Sequence, residues 1–315
     1  MTSLAEKLST RGLRVPEQEP IILDRKRIYI IPTWYGVLFS MTLFIMLIGS
    51  INFNNSLSFA LTFLMVSVTL VSMLHAHRNL SKIHIRCATT KSVFSGQHAI
   101  FPMLISNPGG TDKQTISLVI KNEIPVDIDV PAGSTVTAQL SMKTMVRGIV
   151  QPGKIKIFTE FPLGLFHAWS WFYPDIKCIV YPAPEKDAPP PDFQSDGDNN
   201  AGLTAKGQDD FSGLRNYQPG DSIKSIAWKQ STRGDTLYTK QFSGGGGRTL
   251  WLEWDIAEAG SNEQRLSRIC RWVLDCEASG IKYGLRLPDN KILPGSGRKH
   301  QHICLTALAL FGRES

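Results

Sequence analysis

The chain has 315 residues, 42% of them hydrophobic, and a net charge of +7. Its five cysteines, Cys87, Cys178, Cys270, Cys276 and Cys304, are odd in number, widely spaced and without a CxxC pair. That excludes a disulfide framework and a zinc site and fits a reducing compartment. Much of the excess positive charge gathers at the ends of one uncharged stretch, so it reads as anchoring to anionic lipid rather than binding to nucleic acid.

Residues 1–27 form a basic N-terminal segment carrying Arg11, Arg14, Arg25, Lys26 and Arg27. From Ile28 to Leu74 there is then no Asp, Glu, Lys, Arg or His. Soluble cores rarely run so far without charge, and an apolar helix of about 20 residues spans a bilayer core. Residues 28–76 are therefore expected to hold two transmembrane helices, at about 34–51 and 57–74, joined by Asn52-Phe53-Asn54-Asn55-Ser56. The first is no cleaved signal peptide, because a second span follows it with no small-residue cleavage site between. Arg78, Lys82, Arg86 and Lys91 follow the second span, and no acidic residue appears until Asp112. With basic flanks on both sides and an uncharged connecting loop, both termini are expected in the cytoplasm.

Residues 80–182 change to a period of two. Ile116, Leu118 and Ile120 alternate with Ser117, Val119 and Lys121, and Val136, Ala138, Leu140 and Met142 alternate with polar residues. Turn signals at Asn107-Pro108-Gly109-Gly110, Pro131-Ala132-Gly133 and Gln151-Pro152-Gly153 separate such runs. About seven short strands are expected, as an immunoglobulin-like β-sandwich. Residues 183–204 read as a linker, a Pro-rich piece followed by Ser195-Asp196-Gly197-Asp198-Asn199-Asn200.

Residues 205–315 mix strands with helices, which implies an α/β domain with some parallel pairing. Strands are predicted at 238–242 and 249–254, and Asp221 caps a predicted helix from Ser222 to about Thr232. Ser261, with Gln264 three residues on, starts another helix. Its apolar stripe is Leu266, Ile269, Cys270, Val273 and Leu274, and Gly280 closes it. A strand at 283–287 and a helix at 300–311 complete the domain.

The densest run of unusual residues is Phe211 to Phe242, where Arg215, Asp221, Trp228, Lys229, Arg233 and Asp235 crowd together. Two readings stand. In one, Arg–Asp pairs tie a turn and a capped helix around a core Trp, using the planar fork of arginine. In the other, the same side chains form a surface for a partner's carboxylates or phosphates. Elsewhere the chemistry is sparse. Gly244 to Gly247 lacks the rest of a phosphate loop, and there is no GxSxG. Cys304 shares a predicted helix with His300 and His302, with no third residue to orient a base. His75 and His77 end a span, and Asp209-Asp210 and Glu253/Asp255 read as solvated or capping carboxylates.

The order Arg147-Gly148, Phe161-Pro162-Leu163-Gly164-Leu165-Phe166, Val180-Tyr181-Pro182, then Leu214-Arg215-x-Tyr217-x-Pro219-Gly220-Asp221 with Ile226-Ala227-Trp228-Lys229 behind two spans resembles the domain of unknown function 58 family of bacterial membrane proteins. The resemblance covers nearly the whole chain. It implies a β-sandwich followed by a von Willebrand factor A-like α/β domain, in the bacterial inner membrane. It further implies work beside a MoxR-type AAA+ ATPase and other von Willebrand A proteins. No catalytic residue, cofactor or metal follows from it. A metal-binding von Willebrand A domain uses Asp-x-Ser-x-Ser, and here the stretch is Asp255-Ile256-Ala257-Glu258-Ala259, without either hydroxyl. The expected function is a non-enzymatic, membrane-anchored adaptor that binds proteins, with Arg215, Tyr217, Gly220, Asp221, Trp228, Lys229 and Arg233 as contact or scaffold residues. The alternative is an enzyme acting on protein or envelope material through a site within 211–242.

Overall fold

A computed structural model of the chain describes residues 16–17, 19–121, 123–186, 188–189, 211–216, 238–242, 249–257 and 260–312. The chain divides into two compact units, Met1–Tyr181 and Pro182–Ser315.

The first unit contains two long helices, α1 (Trp34–Phe53) and α2 (Ser56–Leu80), packed on each other. Both are apolar enough and long enough to cross a membrane. Their large side chains, among them Met41, Phe44, Ile48, Phe63, Leu64 and Leu74, are exposed, which is the reverse of a soluble core. What they bury is mostly small or polar: Gly36, Ser50, Thr62 and Ser72. Small residues let apolar helices approach closely where water supplies no driving force. The hydroxyls of Ser40, Thr42, Ser50, Thr62, Ser67 and Thr69 each donate to the carbonyl four residues back. Those bonds satisfy polar groups that hydrocarbon cannot. Asn54 ends α1 in the left-handed conformation, and the Asn55 side chain caps α2 by accepting from Leu57 N and Ser58 N.

The rest of this unit is rich in β structure. Its strands are β1 (Ile21–Ile22), β2 (Tyr29–Pro32), β3 (His84–Cys87), β4 (Val93–Phe94), β5 (His98–Ser106) and β6 (Lys113–Ile120). They continue as β7 (Val126–Val130), β8 (Thr135–Lys143), β9 (Gly148–Val150), β10 (Ile155–Thr159), β11 (Phe166–Phe172) and β12 (Cys178–Tyr181). One sheet runs β1-β3-β5-β8, a second β2-β11-β10-β6-β7, and a small third β4-β12-β9. Phe101, Met103, Ile105 and Leu140 of the first sheet meet Ile116, Leu118, Ile155, Ile157 and Phe172 of the second in one buried cluster. The alternation read from the sequence appears as alternating faces in β8, while in β6 Ser117 is buried along with Ile116, Leu118 and Ile120. Residues ahead of α1 take part in these sheets. Ile21–Ile22 pairs with Ile85–His84, and Tyr29–Pro32 forms an edge strand along Trp169–Phe166.

The second unit holds the antiparallel pair β13 (Phe211–Asn216) and β14 (Tyr238–Phe242). It also holds β15 (Thr249–Glu253), α3 (Asn262–Ala278), β16 (Lys282–Leu287), β17 (Asn290–Gly295) and α4 (Arg298–Leu310). β15 and β16 are parallel, with α3 as the crossover, and β17 returns antiparallel. Ser261 caps α3 by accepting from Gln264 N, and Gly280 closes it at φ +66°. Leu250, Leu252, Leu266, Ile269, Val273, Tyr283, Leu285 and Leu308 are buried here.

Residues 182–186 and 188–189, expected to begin a linker, run along α3. Pro182 O accepts from the Cys270 thiol, Glu185 N donates to Ser267 O, and Trp272 Nε1 donates to Pro189 O at 2.7 Å. Glu185 also pairs with Arg268, whose guanidinium holds the carboxyl below its ordinary range. The remainder of the expected linker lies outside the described residues.

Candidate functional site at the hairpin junction

Two long apolar helices must join their chain to the β-rich body, and here each join is made of named hydrogen bonds. At the start of α1, Thr33 does two jobs. Its hydroxyl accepts from Gly36 N as the helix cap and donates to Gly164 O at 2.6 Å, while its own N–H donates to Leu165 O at 2.9 Å. The Phe161-Pro162-Leu163-Gly164-Leu165 stretch noted in the sequence is therefore the loop that seats α1. Pro32 on the strand before α1 continues the pairing with Phe166 just beyond that loop. The seat is tight enough that only glycine fits at position 36, where a Cβ would lie 2.1 Å from Leu165 O.

At the end of α2 the device is a β-bulge. The register of β6 against β7 shifts between Lys113 and Ile116, and Thr115 takes φ +51°. The Asn79 side-chain amide serves Gln114 as a peptide would. Asn79 Nδ2 donates to Gln114 O at 2.6 Å, and Asn79 Oδ1 accepts from Gln114 N at 3.0 Å. Asn79 Nδ2 also reaches Thr159 Oγ1 at 3.0 Å, and Thr159 in turn donates to Thr115 O. The bulge turns Lys113 inward, where its ammonium donates to Arg78 O and ends the helix. A cation at a helix C-terminus is favoured by the helix dipole. Burial, followed by the nearby charges of Arg78 and Lys82, holds Lys113 below the ordinary lysine value.

The basic residues ahead of α1 divide in role. Arg27 turns inward to pair with Glu17 and to donate to Trp171 O, and the Glu17 hydrogen bond raises its proton affinity. Arg25 and Lys26 stay exposed, and His77 Nε2 lies 3.4 Å from Arg25 O.

The residues singled out in 211–242 are placed only in part. Arg215 stands on β13 opposite Thr239 of β14. Tyr217, Gly220, Asp221, Trp228, Lys229 and Arg233 lie outside the described residues, as does the helix predicted from Ser222. Asp255, the remnant of the von Willebrand A pattern, is exposed in the turn after β15, and Glu258 lies outside the described residues. Among the described residues no group of three His, Cys, Asp or Glu side chains converges.

The Cys304–His300 pair does meet, with Sγ and Nε2 3.5 Å apart, but the same nitrogen lies 2.7 Å from Tyr283 O. A carbonyl only accepts, so Nε2 carries the proton and is no base toward the thiol. Burial pushes Cys304 and Cys270 up to about 12 and Cys276 up to about 11. These thiols are core residues and not nucleophiles. On the outer side of the sheet, Trp251 lies between Arg286 and Lys291, whose charged groups are 4.8 and 5.0 Å from its ring.

Residues 213–311 match the model of a family described as "Protein of unknown function DUF58". A relative among curated proteins is "Uncharacterized protein YeaD" of Bacillus subtilis (strain 168), 26% identical over 136 residues. That match covers 42% of this chain and 34% of the relative, so the chain spans about a third of the relative's length.

Proposed function

Through residues 213–311 the chain is a member of the DUF58 family, and from that premise we propose that it is a membrane-anchored, non-enzymatic adaptor that binds protein partners. The observation that carries this reading is the junction. A tethered enzyme needs only a loose anchor, whereas here Asn79 and Thr33 fix both ends of the hairpin to the β-rich body. A fixed stance suits a protein that must present a surface at a set height above the bilayer. The elevated thiols of the second unit speak against cysteine chemistry.

In this reading the β-rich body is an immunoglobulin-like sandwich acting as spacer or docking module. The carboxy-terminal domain is von Willebrand A-like, a reading supported by the parallel β15-α3-β16 crossover. The Arg215 segment belongs to its partner-binding or scaffold region. The basic flanks at Arg25, Lys26, Arg78 and Lys82 support a topology with both termini on the cytoplasmic side of the inner membrane. The family resemblance supplies the partner class, a MoxR-type AAA+ ATPase system with its von Willebrand A proteins. The test is purification of the full chain from mildly solubilised membranes. A protein partner in stoichiometric yield is expected, and its absence with the hairpin intact refutes the adaptor. Protease treatment of inverted vesicles should cut the carboxy-terminal half, and cutting only in right-side-out vesicles refutes the topology.

A further inference from the structure

Three cations meet where α2 leaves its apolar stretch. Arg78 is in the last turn and exposed, Lys82 lies just past the end and is exposed, and Lys113 reaches in from β6 with 6% of its surface accessible. The nearby carboxylates are engaged elsewhere. Asp129 Oδ1 accepts from Thr115 N, and Asp112 Oδ1 accepts from Ala132 N. No ion pair involves any of the three cations among the described residues. A buried ammonium flanked by two further positive charges is unfavourable until an anion joins it.

The cluster also stands at a defined depth. About 20 residues of helix cross the hydrocarbon core, so from Ser56 the last turn of α2 emerges at the level of the lipid headgroups. His77 draws Arg25, and with it Lys26, to the same level. Val71, Leu74 and Arg78 follow one another at helical spacings of three and four, on one face, and Val71 and Leu74 are exposed. A phosphate held at Arg78 therefore has an apolar track running from it into the bilayer.

We propose that Arg78, Lys82 and Lys113 form a binding site for the phosphate of an anionic phospholipid, with Arg25 and Lys26 at its rim. Arginine supplies two parallel N–H donors to a phosphate, and each lysine supplies a point charge. An acyl chain lies along Leu74 and Val71, which distinguishes a lipid from free phosphate. The inference rests on the hairpin spanning the membrane.

The test uses the full chain in nanodiscs of phosphatidylcholine alone or mixed with phosphatidylglycerol, with retained lipid counted by native mass spectrometry. Wild type is expected to retain phosphatidylglycerol selectively and to melt at a higher temperature in its presence. The double variant Arg78→Gln/Lys82→Gln, which changes exposed side chains only, should bind it roughly 25-fold more weakly, from about 1 kcal/mol per basic residue. Equal retention of both lipids, or equal retention by wild type and variant, overturns the site. Equal stabilisation by inorganic phosphate overturns the lipid assignment. Failure of the wild-type chain to enter bilayers at all refutes instead the membrane reading beneath it.

Discussion

Gly36 and Leu165 approach so closely that the carbonyl oxygen of one occupies the place of a side chain on the other. A long apolar helix is thus seated against a loop from the far side of the sequence by a backbone contact that leaves no room for a side chain. Gly36→Ala is expected to force the loop away and to destabilise the first unit by roughly 1–3 kcal/mol. Gly49, in the same helix, has nothing within 4 Å of a built Cβ. Gly49→Ala should be neutral or slightly stabilising, and thermal melting of the detergent-solubilised pair separates the close approach from helix propensity.

Asn79 makes the corresponding contact at the other end. Asn79→Ala removes its bonds to both backbone groups of Gln114 and to Thr159. A loss of about 2–3 kcal/mol is expected from buried groups left without partners. Limited proteolysis between Leu80 and Lys113 should accelerate in the variant, and an unchanged digestion rate would remove Asn79 from the junction.

The thiols of the second unit predict how its stability varies with pH. Free thiols ionise near about 8.5, whereas Cys276 is pushed up to about 11 and Cys270 and Cys304 to about 12. Between these values the folded unit holds protons that the unfolded chain has released, so stability falls as pH rises. The contribution is fully present below about pH 8.5 and is lost on the way to the folded values. Melting followed across that alkaline range should show the decline, with a shallower slope in Cys270→Ala. Iodoacetamide should label these cysteines only after denaturation.

Residues 182–186 and 188–189 are tied to α3 in part by one indole hydrogen bond. Trp272→Phe deletes the donor to Pro189 O and should cost about 1 kcal/mol. Hydrogen exchange in the 183–189 backbone should quicken while α3 itself stays protected. Equal protection in variant and wild type would show that the segment is held by its bonds to Ser267, Arg268 and Cys270 instead.

What could be read in advance follows from periodicity. Ile116, Leu118 and Ile120 are all buried in β6 as expected, with Ser117 buried beside them, and the Ser261 cap, the Gly280 stop and the strands at 238–242 and 249–253 fall within a residue or so of expectation. Tyr29–Pro32 was hidden because an apolar edge strand running straight into an apolar helix leaves no break in composition. The Lys113 contact was hidden for a different reason. Strict alternation from Ile116 would put Gln114 inside, and only the bulge reverses that. Nothing in the local sequence marks Asn79 as the residue that completes the bulge, since the two are joined only by folding. The Arg215 to Arg233 run, prominent in the sequence, falls mostly outside the described residues, so its role stays with the proposal above.

The seating of both helices has a mechanical corollary. Thr33 passes from strand to helix without a spare residue, and Asn79 locks the return, so a hairpin set in a bilayer as proposed would turn as one piece with the β-rich body. A change in lipid thickness that tilts the helices would swing the attached β-rich body through the same angle.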